Sequence, residues 1–143
     1  MRKSMMIPGT PQGKGRPRVT KYGTFTPQKT RDYEALIRQC WQLQAGGMLE
    51  GDAFQVNILA HFAPPKSFSA KRRAAMMGTP HVHKPDADNI AKAVLDALNG
   101  VAFRDDAAVA CLAVKKYYAE RQGVYVSVTA LHEGGKPQWD INP

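Results

Sequence analysis

The segment from Lys84 to Asp106, KPDADNIAKAVLDALNGVAFRDD, leaves the chain few conformations to choose from. Pro85 biases Lys84 toward an extended conformation. From there Ile90, Ala91, Val94, Leu95 and Leu98 recur at helical spacing and fall on one face. Asp88, Lys92, Asp96 and Asn99 take the opposite face. Asp88 is a good N-cap, and Asn99-Gly100 ends the helix and turns the chain. The segment therefore predicts a helix from Asp88 to about Leu98, its apolar side on a core. The chain then returns through Val101-Ala-Phe103 to Arg104-Asp105-Asp106.

The same segment is acidic where its surroundings are basic. It holds five of the twelve acidic residues in a protein of net charge +8. Residues 1–38 contain nine Lys/Arg against two acids, and residues 64–84 contain five Lys/Arg and no acid, together net +12. Such clustering, with a pI near 9.7, points to nucleic acid as the partner. Carboxylates gathered inside a basic protein repel one another unless a cation sits among them.

Ion pairing along the Asp88–Lys92–Asp96 ridge accounts for those residues by itself, at a few tenths of a kcal/mol per pair. It leaves Asp86 and the Asp105-Asp106 pair unexplained. A short helix and a turn would bring Asp105 or Asp106 back toward Asp86 and Asp88. Carboxylates without accompanying Cys or His make an oxygen-only site, which suits Mg²⁺ or Mn²⁺ better than zinc. An EF-hand is excluded, because its loop glycine and terminal glutamate are missing. A carboxylate-held metal beside a lysine fits phosphodiester hydrolysis. The metal would polarise the phosphate, and Lys92 would stabilise developing negative charge.

Two basic segments flank this candidate site. The first, a Gly- and Pro-rich arm at about residues 9–25, is no phosphate loop, since GxxxxGK[ST] is absent. Gly13 and Gly15 permit close backbone approach to a ligand, and Lys14, Arg16 and Arg18 supply charge. The arm is either a mobile linker or a phosphate-gripping element, and its charge density favours the second. Lys71, Arg72, Arg73 and Lys84 form the other set expected to meet DNA. His81 and His83 alternate as a zinc pair would, but no further His or Cys nearby completes such a site. Substrate contact or plain structure suits them better. Cys40 and Cys111 lie outside any CxxC pair and are expected as reduced, buried packing residues.

The remaining elements follow from periodicity. Residues 3–8 predict a strand, and Thr26-Pro27 a helix start with Thr26 as N-cap and proline at the first helical position. Tyr33, Ile37, Cys40, Trp41 and Ala45 form a buried stripe that Gly46-Gly47 ends. Residues 54–62 alternate as a half-buried strand. Ser69 caps about two basic helical turns. Val109–Tyr118 and Val124–Ala130 predict an antiparallel hairpin. The fold class is α+β: one compact domain over residues 1–143, helices packed on a mixed sheet, with a frayed tail at about 133–143. No apolar run approaches the roughly 20 residues of a membrane span, and the N-terminus lacks a secretory apolar stretch. The protein is expected in the cytoplasm, away from membranes and without a small-molecule cofactor.

KPDADNIAKAVLDALNG followed by DDA resembles the RusA-type Holliday junction resolvases, whose pattern is close to DxDN-x-x-K-x-x-x-D-x-L, a gap, then DDA. The early GKGRPR and TPQKTRDYE segments are similar to those of phage and prophage members. The resemblance covers about two thirds of the chain. It implies that Asp86, Asp88 and Asp106 bind metal, with Asp105 as a substitute or neighbour, and that Lys92 is the essential lysine. It further implies a Mg²⁺-dependent homodimer that makes paired symmetric nicks in four-way junction DNA, in recombination and repair. Two other readings are a non-catalytic branched-DNA-binding module and a metal-dependent nucleotide phosphohydrolase.

Overall fold

Residues 54–62 alternate buried and half-buried without a break, and this strand lies inside the sheet. The computed structural model describes residues 1–131. The elements are β1 (Arg2–Pro8), β2 (Arg18–Thr20), β3 (Gly23–Phe25), α1 (Gln28–Gln44), β4 (Phe54–Phe62), α2 (Ala70–Met76), α3 (Ala87–Leu98), β5 (Val109–Tyr118) and β6 (Gly123–Ala130). A 3-10 turn, Asp106–Ala108, leads into β5. The frayed tail expected at 133–143 lies outside the described residues.

The main sheet has the order β1-β6-β4-β5, while β2 and β3 pair separately as a small hairpin. β4 runs parallel to β5 and antiparallel to β6, and β1 is antiparallel to β6. The sheet is mixed and the fold is α+β, as expected. The expected β5–β6 hairpin is not formed, because β4 lies between the two strands. Burial explains the sorting. Six of the eight β6 residues are buried, which demands neighbours on both sides, whereas β5 carries Lys115 and Lys116 and goes to the edge.

Both long helices bury their stripes in one core with β4 and β6. Tyr33, Ile37, Cys40 and Trp41 of α1 meet Ile90, Ala91, Val94 and Leu98 of α3, over Val56, Ile58, Val124 and Val126. Trp41 is fully buried and donates its indole N–H to the Gly47 carbonyl at 2.8 Å, which makes it core, as its spacing predicts. Gly46 and Gly47 both take positive φ where α1 stops. The start of α1 is displaced by one residue from expectation: Pro27 itself is the N-cap, and its carbonyl accepts the Arg31 N–H. Its fixed φ suits the extended cap as well as the first helical turn. Ser69 caps α2 as expected, accepting the Arg72 N–H. Cys40 is buried, but Cys111, on the edge strand, is only half-buried.

Both sheet edges are covered in part by the chain itself. On β1, the Gln44 side chain accepts from the Met6 N–H and donates to the Met6 carbonyl, each at 2.8 Å. Along β5, the segment after α2 pairs with the strand: Gly78 donates to Tyr118, Tyr118 to Thr79, and His81 to Lys116. That pairing carries the chain along the sheet edge toward Lys84 and the start of α3.

Candidate functional site

α3 begins where Lys84-Pro85 ends its extended run, and its N-cap is Asp86 rather than Asp88. Asp86 has an extended backbone, φ −69° and ψ 149°, and its side chain makes no cap hydrogen bond. Its carboxylate turns instead to Lys84 Nζ at 3.3 Å, an exposed pair of the kind that contributes little. Asp88 lies in the first helical turn, exposed, where the helix dipole favours a negative charge. Lys92 stands exposed one turn further along. The cap bends the chain between Asp86 and Asp88.

The backbone on which Asp86 stands is fastened from the sheet. Lys116 Nζ donates to the His83 carbonyl at 2.6 Å and to the Pro85 carbonyl at 2.7 Å. These charge-assisted bonds hold the residues immediately before Asp86. His81 adds a second anchor, stacked on Phe62 with ring centroids 3.6 Å apart and edge-on to Tyr118. Burial, then Lys116 and His83, push the His81 pKa down. Sequence reasoning missed Lys116, because a lysine on an alternating strand carries no sign of the carbonyls it will meet.

The arm before α1 is docked against this helix start. Lys14 N–H donates to the Asn89 carbonyl at 2.9 Å, and Gly15 N–H to Thr30 Oγ1 at 3.1 Å. Lys14 Nζ reaches Glu34 at 2.5 Å and Asp96 at 3.1 Å. Burial lowers the Lys14 pKa, but the two carboxylates outweigh it and raise the value overall. Lys14, expected to meet DNA, has its ammonium engaged between α1 and α3, and it explains Asp96 as an ion-pair residue. Arm and helix together enclose a cleft of about 800 Å³, whose lining includes Gly13, Arg18, Lys29, Lys84, Asp86 and Asn89.

Asp105 and Asp106 sit at the other end of α3. Phe103, fully buried and 5.8 Å from the Phe54 ring, anchors the returning chain. Asn99 Oδ1 then accepts the Asp106 N–H at 3.0 Å, and Asp105 Oδ1 caps the 3-10 turn through the Ala107 N–H. The Asp106 carboxyl titrates above its ordinary range, first through partial burial, then through a hydrogen bond and repulsion from Asp105, with Asp96 adding to it. A helix of 12 residues spans on the order of 18 Å. Asp86 and Asp106 therefore mark opposite ends of one helix. The expected convergence of Asp86, Asp88 and Asp106 is absent: among the described residues no three His, Cys, Asp or Glu side chains gather as a metal-ligand set.

Of the other expected DNA contacts, Lys71 and Arg72 are exposed on α2, and Arg73 is half-buried. Arg72 lies over the Phe68 ring at 3.5 Å. Arg16 and Arg18 are both exposed, Arg18 at the rim of the Asp86 cleft.

One long helix thus displays acid and lysine on its outer ridge, flanked by a docked basic arm. A family model for endodeoxyribonuclease RusA matches residues 8–129 of this chain, which takes in the arm, both long helices and the main-sheet strands β4, β5 and nearly all of β6, but of β1 only Pro8. The chain belongs to the RusA endodeoxyribonuclease family. It is also similar to the uncharacterized protein YqaN of Bacillus subtilis (strain 168), 32% identical over 131 residues, spanning 84% of this chain and 90% of that protein. The cleft and the acidic ridge of α3 both lie within the matched residues. No helix among the described residues is long and apolar enough to cross a membrane.

Proposed function

We propose that this RusA-family protein is a cytoplasmic, Mg²⁺-dependent, structure-selective endodeoxyribonuclease that resolves Holliday junctions by paired symmetric nicks. It would act as a homodimer in DNA recombination and repair. The observation that carries this reading is the N-terminal half of α3, where Asp86, Asp88 and Lys92 face outward beside a cleft rimmed by Arg18, Lys29 and Lys84. A phosphodiester backbone offers the charge that such a rim attracts.

The donor chemistry suits magnesium, which commonly takes one or two carboxylates, several waters and the substrate phosphate instead of a complete protein cage. Asp86 and Asp88 at the helix start, or Asp106 with Asp105 at its end, would hold such an ion. When bound, it would supply charge to polarise the scissile phosphate and lower the pKa of attacking water. Lys92 would stabilise negative charge that develops on phosphate oxygens. Arg18, Lys71, Arg72 and Lys84 would hold the DNA backbone by charge.

The test is cleavage of a synthetic mobile four-way junction with Mg²⁺. Wild type is expected to cut it in paired nicks, and Asp88→Asn to bind it while cutting at least about a hundredfold more slowly, the loss of one transition-state charge contact. Cutting by Asp88→Asn at the wild-type rate would remove Asp88 from the chemistry. The separation of Asp106 from Asp86 favours a second reading, a non-catalytic branched-DNA-binding module. That reading expects junction binding by wild type with no metal-dependent nicking.

A further inference from the structure

The small β2–β3 hairpin has no part in the core. Every residue of both strands is exposed, and Val19 and Tyr22 keep 81% and 80% of their surface accessible. Phe25 keeps 51%. A single exposed apolar residue on a surface is ordinary. Three on one hairpin of two three-residue strands are costly to leave in water, since nothing in the hairpin shelters them. The hairpin is nevertheless built firmly at both ends. Its tip is tied by Thr20 Oγ1, which accepts the Tyr22 N–H at 3.2 Å and donates to the Gly23 carbonyl at 3.3 Å. Its base continues from Gly13–Gly15, docked on Asn89 and Thr30.

The apolar side chains are interleaved with cations. Phe25 is the direct cross-strand partner of Arg18, which lines the cleft containing Asp86. Lys21 Nζ lies 5.0 Å from the Tyr22 ring centroid. An aromatic ring presented among lysine and arginine side chains is the arrangement that stacks on a nucleic-acid base while the cations take its phosphates. Continuous duplex hides its base faces, whereas a branch point can expose them. Charge complementarity thus selects DNA, and the projecting ring selects an unstacked base within it.

We propose that Tyr22, carried by the β2–β3 hairpin, stacks on an unpaired base at the branch point of the DNA held at the Asp86 cleft, with Arg18 and Lys21 on the adjoining phosphates. This rests on the reading of the protein as a junction-binding nuclease. It assigns the hairpin recognition of strand branching, and it leaves duplex arms to the other basic residues.

The experiment measures binding of the full chain, without divalent metal, to a four-way junction with 2-aminopurine at the branch point and to linear duplex of the same arm sequence. Tyr22→Ala is expected to melt at the wild-type temperature, to bind the junction at least about fivefold more weakly, and to leave duplex affinity unchanged, because stacking on one base is lost. The 2-aminopurine signal that changes on wild-type binding should not change with Tyr22→Ala, and Tyr22→Phe should restore both readouts. Equal junction affinity for Tyr22→Ala and wild type would overturn the proposal, and so would an equal loss on junction and duplex. Wild type that binds junction no better than duplex would overturn the underlying functional reading, and the stacking proposal with it.

Discussion

Gly13 and Gly15 bring the basic arm down onto the helices. A methyl group at Gly13 would lie 3.0 Å from the Cβ atoms of Asn89 and Pro85, and one at Gly15 would lie 2.7 Å from Thr30 Oγ1. Neither glycine has positive φ, so close approach is the reason for both. Gly15→Ala is expected to cost about 1–3 kcal/mol through overpacking and a displaced Thr30 hydroxyl. The midpoint of urea unfolding would show it, and an unchanged midpoint would mean the arm is not tightly docked. Close backbone approach was legible from the glycines themselves; that the partner would be the protein's own helices was not. The internal pairing of Lys14 was hidden for the same reason. Its partners Glu34 and Asp96 come from distant parts of the chain, and nothing in GKGRPR announces them.

Among the elements, α3 was the most legible. Its apolar positions repeat cleanly, and Ile90, Ala91, Val94 and Leu98 are all buried. Its cap was misplaced by two residues because Asp86 and Asp88 are chemically equivalent candidates, and only the backbone path from Pro85 separates them. β5 and β6 were also correctly seen as strands, but their neighbour was not. A short connection favours a hairpin locally, yet β4 satisfies one edge of each strand and, with β1, gives β6 a neighbour on both sides. The clamp on the loop before α3 follows from that placement. Lys116→Met keeps the aliphatic stem but removes both bonds to the His83 and Pro85 carbonyls. It should destabilise the fold by about 1–3 kcal/mol, measured by urea unfolding. It should also slow junction cleavage more than junction binding, because Asp86 loses its fixed approach. A variant with wild-type stability and cleavage rate would show that the clamp is dispensable.

At the scale of the whole molecule, one helix separates Asp86 from Asp106, and the basic arm lies along its start. A four-way junction presents equivalent strands that need opposed cuts, and a two-fold dimer supplies two sites. Light scattering at micromolar concentration is therefore expected to give twice the 15.7 kDa chain mass. A monomeric mass would remove the homodimer from the proposed mechanism. The basic arm also carries the exposed hairpin, so the same segment that packs against α3 presents Tyr22 to solvent.

The sequence alone determined the element types, the α+β class, the acidic helix ridge and the basic surroundings. Each depends on local periodicity, turn residues or charge counts. Only the tertiary structure decided that β4 separates β5 from β6, that Lys14 is internally paired, that Lys116 clamps the helix entry, and that the carboxylates stay at opposite ends of α3. Those outcomes depend on which surfaces bury one another across the chain, and in the sequence the residues that meet lie far apart.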